Sequence, residues 1–424
     1  MLNFHSYPEI KFPDGFIWGS ATAAHQIEGD DVDSLNWFKE IEEKREHLSG
    51  KACNSYVLYK EDVELLKQIG HKAYRFSLSW ARLEPSPNQF KTEVLEHYVD
   101  QLRLLKAAGI TTFVTLLHGS MPNWFERQGG FRKRENIALF ERYLRFVVPA
   151  ICEQVDFWLV INEFNLCWGE TMALMQDIRA NHLLAHARGY HVIKEYSSAP
   201  VSSAHALQHC HPENPFDKFD RLWAEFNDWL SNEFFFHAIR TGEIVFPGRK
   251  VETFAEVKDT VDYWGVNYYC RRVVSARSAA DGEWYTATHQ RMIDKEFYLE
   301  EFFPEGLSYG MQRLADKPVY ITENGVCADD DRWRVVKLCM DLAAVADAIK
   351  HGVDCRGYLH WSTMDNYEWS SFTPRFGLVH VDFDTFKRTP KPSAWFYKEL
   401  IEGNGFGPAL IKKYLPELPE FKLY

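Results

Sequence analysis

Two glutamates in this chain stand where an apolar run stops abruptly. In Pro318 to Gly325, PVYITENG, the residues Val319 to Thr322 are β-branched or aromatic and carry no charge, the pattern of a buried strand. Asn324-Gly325 then marks a turn, so Glu323 falls at the C-terminal mouth of that strand. Phe157 to Glu163, FWLVINE, has the same shape, an apolar strand ending on Asn162 and Glu163. Two carboxyl groups at the ends of two buried strands are the parts needed to cleave a glycosidic bond. One such glutamate alone reads as a strand-end carboxylate held in a salt bridge. The pair, with the elements around it, points to chemistry.

Those elements alternate. Strand patterns begin near Phe16, Lys72, Thr111, Phe157, Pro200, Val261, Pro318 and Cys355, separated mostly by helical patterns. Ser55 to Ile69 places Tyr59, Val63 and Leu66 at helical spacing, with Gly70 as a C-cap signal, and Thr92 to Ala108 places Val94, Tyr98, Leu102 and Leu105 on one face. Repeated β-then-α units predict an α/β fold, one (β/α)8 TIM barrel spanning 1–424 as a single domain; a doubly wound open sheet is the alternative. In a barrel the strand C-termini converge on one face. Gln26, Trp80, His118, Glu163, Tyr269, Glu323 and Trp361 are expected there. Arg271 to Pro304 is expected to form surface loops at the rim, and the proline-bearing tail Gly403 to Tyr424 to pack as irregular coil.

Composition narrows the partners. Hydrophobic residues make up 46% of the 424 and aromatics 15%, enough for a large core and for rings that stack on sugars. The net charge of −12 argues against nucleic acid or an anionic membrane surface. The 8 cysteines are scattered, with no C-x-x-C pair, and read as reduced thiols rather than a disulfide framework. The first residues show no signal-peptide pattern, and no uncharged apolar run reaches the length of a membrane span, so a soluble cytoplasmic protein is the expectation. His205, His209, Cys210 and His211 have a spacing that a metal could use; cleft-lining or surface histidines are the preferred reading, and no metal or other cofactor is expected.

Taken together, FPDGFIWGSATAAHQIEG (12–29), YRFSLSWARLEP (74–85), WLVINEF (158–164), GVNYY (265–269), VYITENG (319–325) and the long run 357–383 resemble glycoside hydrolase family 1, the β-glucosidase family. The resemblance implies retaining hydrolysis of small β-glycosides or oligosaccharides, with Glu323 as nucleophile and Glu163 as acid/base. It implies that Arg75 and Tyr269 keep the nucleophile ionised. It implies that Asn162 bonds the sugar 2-hydroxyl, that Asn267 sits near the acid, that Gln26, His118 and Glu368 bind hydroxyls beside Trp369, and that Trp361 forms a stacking floor. Family members that cleave phosphorylated sugars usually carry Ser near the Glu368 position, with a Lys and a Tyr for the phosphate. A carboxylate there favours an unphosphorylated sugar, most simply β-glucosyl. A relative acting on β-galactosides or β-fucosides, a transglycosylating relative, and a non-catalytic glycoside-binding barrel are the rivals. The chain departs from the family at Phe164, where Pro is usual, in a shorter Asn165 to Met175 loop, at Asn54-Ser55, and at Gly119, where an aromatic is common. The loop and Gly119 lead to the expectation of an open leaving-group side.

Overall fold

The computed structural model describes residues 7–167, 171–280, 292–293 and 300–421. Among them, eight parallel strands close into a barrel. They are β1 (Ile17–Ala21), β2 (Ala73–Ser77), β3 (Thr111–Leu117), β4 (Phe157–Asn162), β5 (Val201–Ala206), β6 (Trp264–Asn267), β7 (Val319–Asn324) and β8 (Cys355–Trp361). Each pairs with the next, and β8 returns to β1 with Tyr358 opposite Trp18 and Trp361 opposite Ala21. Helices α1 (Ser55–Gln68), α2 (Thr92–Ala107), α3 (Ile137–Ile151) and α4 (Met172–Tyr196) follow the first strands. Helices α5 (Phe234–Thr241), α6 (Pro304–Gln312), α7 (Arg332–Lys350) and α8 (Pro392–Gly403) complete the outer layer. The strands are buried almost throughout, as barrel strands between a filled interior and a helical shell must be. Inside, the Phe113 and Phe157 rings stack 4.3 Å apart, and the Tyr263 and Tyr320 rings pack against them.

Four expectations need correction. Trp80 is not at the mouth of the barrel. It opens a short helix, Trp80–Leu83, and is fully buried, its ring 4.7 Å from Phe125 and 5.1 Å from Tyr143, its indole N–H donating to Glu84 at 2.9 Å. Ser79, which caps that helix, turns the chain away before the tryptophan can face inward. The tail is not irregular at its start. Gly405–Phe406 pairs antiparallel with Ile10–Lys11, and Pro408 takes the first position of a helix that runs to Tyr414, where its missing N–H is not needed. The 271–304 stretch is not wholly surface loop. Arg271–Val274 forms a parallel pair with His209–Pro212, and Arg271 makes a buried two-pronged ion pair with Glu301 at 2.8 and 2.9 Å. Gln26 does not sit at a strand end either: β1 stops at Ala21, and Gln26 lies in a short helix, Ala24–Ile27.

Candidate active site

At the C-terminal ends of the strands, one arginine organises the centre. Arg75, on β2, is fully buried, and its guanidinium donates to Glu323 Oε1 at 2.7 Å, to Asn162 Oδ1 at 2.6 Å, to the Thr322 carbonyl at 3.0 Å and to Thr115 Oγ1 at 3.0 Å. These partners stand on β7, β4 and β3, so a single planar group ties the mouths of four strands together. The second oxygen of Glu323 accepts the Tyr269 hydroxyl at 2.8 Å. Asn267 bridges the two halves: its amide donates to Glu163 Oε1 at 3.1 Å and Asn162 Oδ1 at 3.0 Å, while Thr322 donates to its oxygen at 2.7 Å.

The two carboxyls are electrostatically unlike. Burial pushes the Glu163 proton affinity up to about 8, and the nearby Glu323 charge adds to this. Glu323 is also raised by burial, but Arg75 and then the Tyr269 hydrogen bond pull against that rise. Glu163 has no cation in direct contact among the described residues, only the Asn267 amide. Burial and then the neighbouring carboxylates hold Tyr269 well above its ordinary range, so it stays a hydroxyl donor.

A second group of polar side chains lines the other side. The Gln26 amide donates to Asn366 Oδ1 at 3.0 Å and to Glu368 Oε2 at 3.1 Å. His118, on the turn after β3, shares a 2.9 Å hydrogen bond with Asn162 and lies 5.8 Å from the Trp361 ring and 5.9 Å from the Trp369 ring. Burial and the Arg75 charge hold His118 well below its usual range, so it is a neutral imidazole. Gln26 Oε1 and His118 Nδ1 are buried without a hydrogen-bond partner among the described residues. Two such groups beside carboxylates and tryptophans are suited to a ligand rich in hydroxyls.

The eleven expected residues, Gln26, Arg75, His118, Asn162, Glu163, Asn267, Tyr269, Glu323, Trp361, Glu368 and Trp369, gather in this one network of contacts. Thr115, Thr322 and Asn366 take part too and were not anticipated. Thr322 lay within ITENG, and Asn366 one residue before Tyr367-Glu368, so the motifs held the signal for those two. The histidine group is dispersed. His205 is buried on β5, bonded to Asn232 at 3.1 Å and stacked on Phe235, whereas His209 and His211 are half-buried against Phe303. Among the described residues, no three His, Cys, Asp or Glu side chains gather in a way that could hold a metal.

The departures near Glu163 also resolve. Phe164 does not reach the cleft. It is buried, edge-on to Phe235 at 4.7 Å. Asn165 then fixes the turn, donating to the Ala206 and Ser231 carbonyls at 2.8 and 2.9 Å and accepting the Ala206 N–H at 3.1 Å. Glu163 itself has φ +47°, a left-handed conformation that these anchors hold in place. Trp168 lies outside the described residues. At Gly119 no wall is missing, because the Trp369 ring occupies that side.

The pattern of Glycosyl hydrolase family 1 matches residues 8–406. The chain belongs to that family. The family 1 chain is 30% identical to "Beta-glucosidase A" of Thermotoga maritima, over 93% of this chain and 98% of that one. It is 28% identical to a "6-phospho-beta-galactosidase" of Staphylococcus haemolyticus, over 92% and 98%. Its fold superposes on a solved "beta-glycosidase from Pyrococcus horikoshii" with a TM-score of 0.89 at 34% identity, covering 97% of this chain and 99% of that one. These results establish a family 1 glycoside hydrolase with the family's (β/α)8 barrel.

Proposed function

We propose that this hydrolase is a retaining β-glucosidase that removes terminal, unphosphorylated β-D-glucosyl residues. The observation that carries the reading is the split between the two carboxyls around Asn267. Glu323, held by Arg75 and Tyr269, is poised as an anionic nucleophile. Glu163, with a proton affinity pushed up to about 8, is poised as the acid. Glu323 attacks the anomeric carbon and forms a glycosyl ester as the glycosidic C–O bond breaks, and Glu163 gives its proton to the leaving oxygen. Glu163, now a carboxylate, takes a proton from water; that water attacks the anomeric carbon and returns the Glu323 carboxylate.

Glu368 supports the unphosphorylated sugar. Its carboxylate stands at the Gln26 side of the site, where it would repel a phosphate dianion and accept hydrogen bonds from sugar hydroxyls. Both kinds of substrate appear in the names of the relatives, so the assay must include both. Nitrophenyl β-glucoside is expected to be cleaved efficiently, nitrophenyl 6-phospho-β-glucoside and 6-phospho-β-galactoside not, and Glu368→Ser is expected to cripple the first reaction. Efficient cleavage of either phosphorylated substrate by the unaltered enzyme would overturn the assignment. The eight cysteines, none of them in a disulfide, suit a reducing compartment such as the cytoplasm.

A further inference from the structure

The turn that carries His118 continues through Gly119, whose φ of +75° lies in the left-handed region. A Cβ built on Gly119 would stand 2.5 Å from Cη2 and 2.7 Å from Cζ3 of Trp369, closer than any side chain tolerates. The outer edge of the indole therefore reaches the bare backbone of Gly119. Asn36 ties that backbone down by donating to the Gly119 carbonyl at 2.7 Å. On the indole's face, the His25 ring stacks at 6.2 Å with planes 8° apart. His25 is in turn fixed by Glu40 at 2.8 Å. Trp369 has φ +58°, and its carbonyl accepts a hydrogen bond from Arg45. The ring is thus positioned by its own strained turn, by an imidazole on one face, and by the absence of a side chain at its edge.

We propose that Gly119 is a specificity-determining residue: by carrying no side chain it admits the Trp369 indole and so sets how Trp369 and the adjoining Glu368 meet the terminal sugar. The proposal rests on the reading of this side of the site as the terminal-sugar side. It extends that reading to a residue that carries no side chain. Gly119 and Trp369 act as one unit: residue 119 cannot gain a side chain while the indole keeps this position. A Cβ at 119 meets the Arg75–Glu323 centre only indirectly, through Trp369, His118 and Asn162. Its effect therefore falls on the choice among sugars and on KM more than on kcat.

The test is Gly119→Ala, alone and combined with Trp369→Leu, which removes both indole atoms that the Cβ would strike. Rates are measured on nitrophenyl β-glucoside and β-galactoside, and the crystal structure of Gly119→Ala is determined. The expected result is that Gly119→Ala alone lowers kcat/KM for the glucoside and moves the glucoside-to-galactoside ratio toward one, each by about tenfold or more. In the Trp369→Leu background the same substitution then changes both by less than about threefold, the mark of coupling between touching residues. In the crystal the indole is displaced from residue 119. The proposal fails if the loss is equal in both backgrounds, since that is the signature of backbone strain at φ +75° alone, or if the ring has not moved. If the unaltered enzyme cleaves no β-glycoside, it is the functional reading that fails, and the position of the ring in the crystal still decides whether Gly119 places Trp369.

Discussion

Glu163 and Glu323 share a network yet face opposite electrostatic demands, and this has consequences in pH. The proposed acid must hold its proton, and burial with the Glu323 charge pushes Glu163 up to about 8. The proposed nucleophile must lose its proton, and Arg75 and Tyr269 work against the burial that raises it. A plot of kcat/KM against pH is therefore expected to be bell-shaped, with an alkaline limb near pH 8 and an acid limb set by Glu323, the two limbs belonging to the coupled pair. Glu163→Gln is expected to abolish the alkaline limb for leaving groups of low pKa, and added azide to speed its turnover and yield a β-glycosyl azide. If azide has no effect and good and poor leaving groups suffer alike, Glu163 is not the acid/base. Glu323→Gly is expected to cost about four or more orders of magnitude in rate, and a 2-fluoro-glucoside to label a peptide containing Glu323. Labelling of a different peptide would remove the assignment. The same pKa shift bears on stability. Between the ordinary carboxyl value of 4.5 and about 8 the folded chain binds a proton that the unfolded chain has released. This contribution is thus fully present below 4.5 and is lost as the pH rises toward 8. Thermal melts should show Glu163→Gln gaining on the unaltered protein at pH 8 relative to pH 5.

At the scale of elements, the strand of the proposed nucleophile is pinned from behind by α7. Lys337 and Asp341, one turn apart on that helix, form a buried ion pair at 3.0 Å. The lysine donates to the Tyr269 carbonyl at 2.6 Å, and the aspartate accepts from Asn324 at 2.7 Å. The pair thus grips the residue after Glu323 and the backbone of the tyrosine that bonds Glu323. Lys337→Met leaves Asp341 charged and unpaired in the interior, and urea titration is expected to show a loss of about 3–5 kcal/mol. A loss within about 0.5 kcal/mol, the range of ordinary surface substitutions, would show that the pair has no such role. None of this was legible in the sequence, where Lys337 and Asp341 look like a solvated i, i+4 pair. Most of the strands were legible because they are short apolar or alternating runs stopped by a polar or turn residue. Gln26, Glu163 and Glu323 were legible because family motifs surround them. Trp80 misled because strand alternation in KAYRFSLSW runs past the true strand end at Ser77, and only the Ser79 cap reveals the turn. The pairing of Ile10–Lys11 with Gly405–Phe406 was hidden because its partners lie so far apart along the chain.

At the scale of the whole molecule, the site is uneven. Among the described residues, the proposed sugar side is filled by Gln26, His118, Glu368 and the two tryptophans, while Phe164 turns its ring into the core and away from the proposed leaving-group side. Fewer fixed contacts there among the described residues mean less transition-state binding that depends on aglycone shape. Among β-glucosides whose aglycones share a pKa but differ in size, kcat/KM is expected to vary by less than about a hundredfold, roughly 2.7 kcal/mol. A wider spread would reveal a shaped aglycone pocket.

Closure of the barrel has a temporal side. Arg75 and Glu323 are 248 residues apart, and Gln26 and Glu368 are 342 apart. β8 is the final stave of the ring, and it locks against β1. On the ribosome, a chain synthesised only as far as Asn324 already holds both glutamates, yet it lacks Trp361, Glu368 and the strand that shuts the circle. Such contacts between distant segments form late, because long loops must be closed before they are rewarded. Glycoside cleavage is therefore a clock for the last step of assembly. During refolding, helical signal should return first, and turnover only when the two ends of the barrel meet.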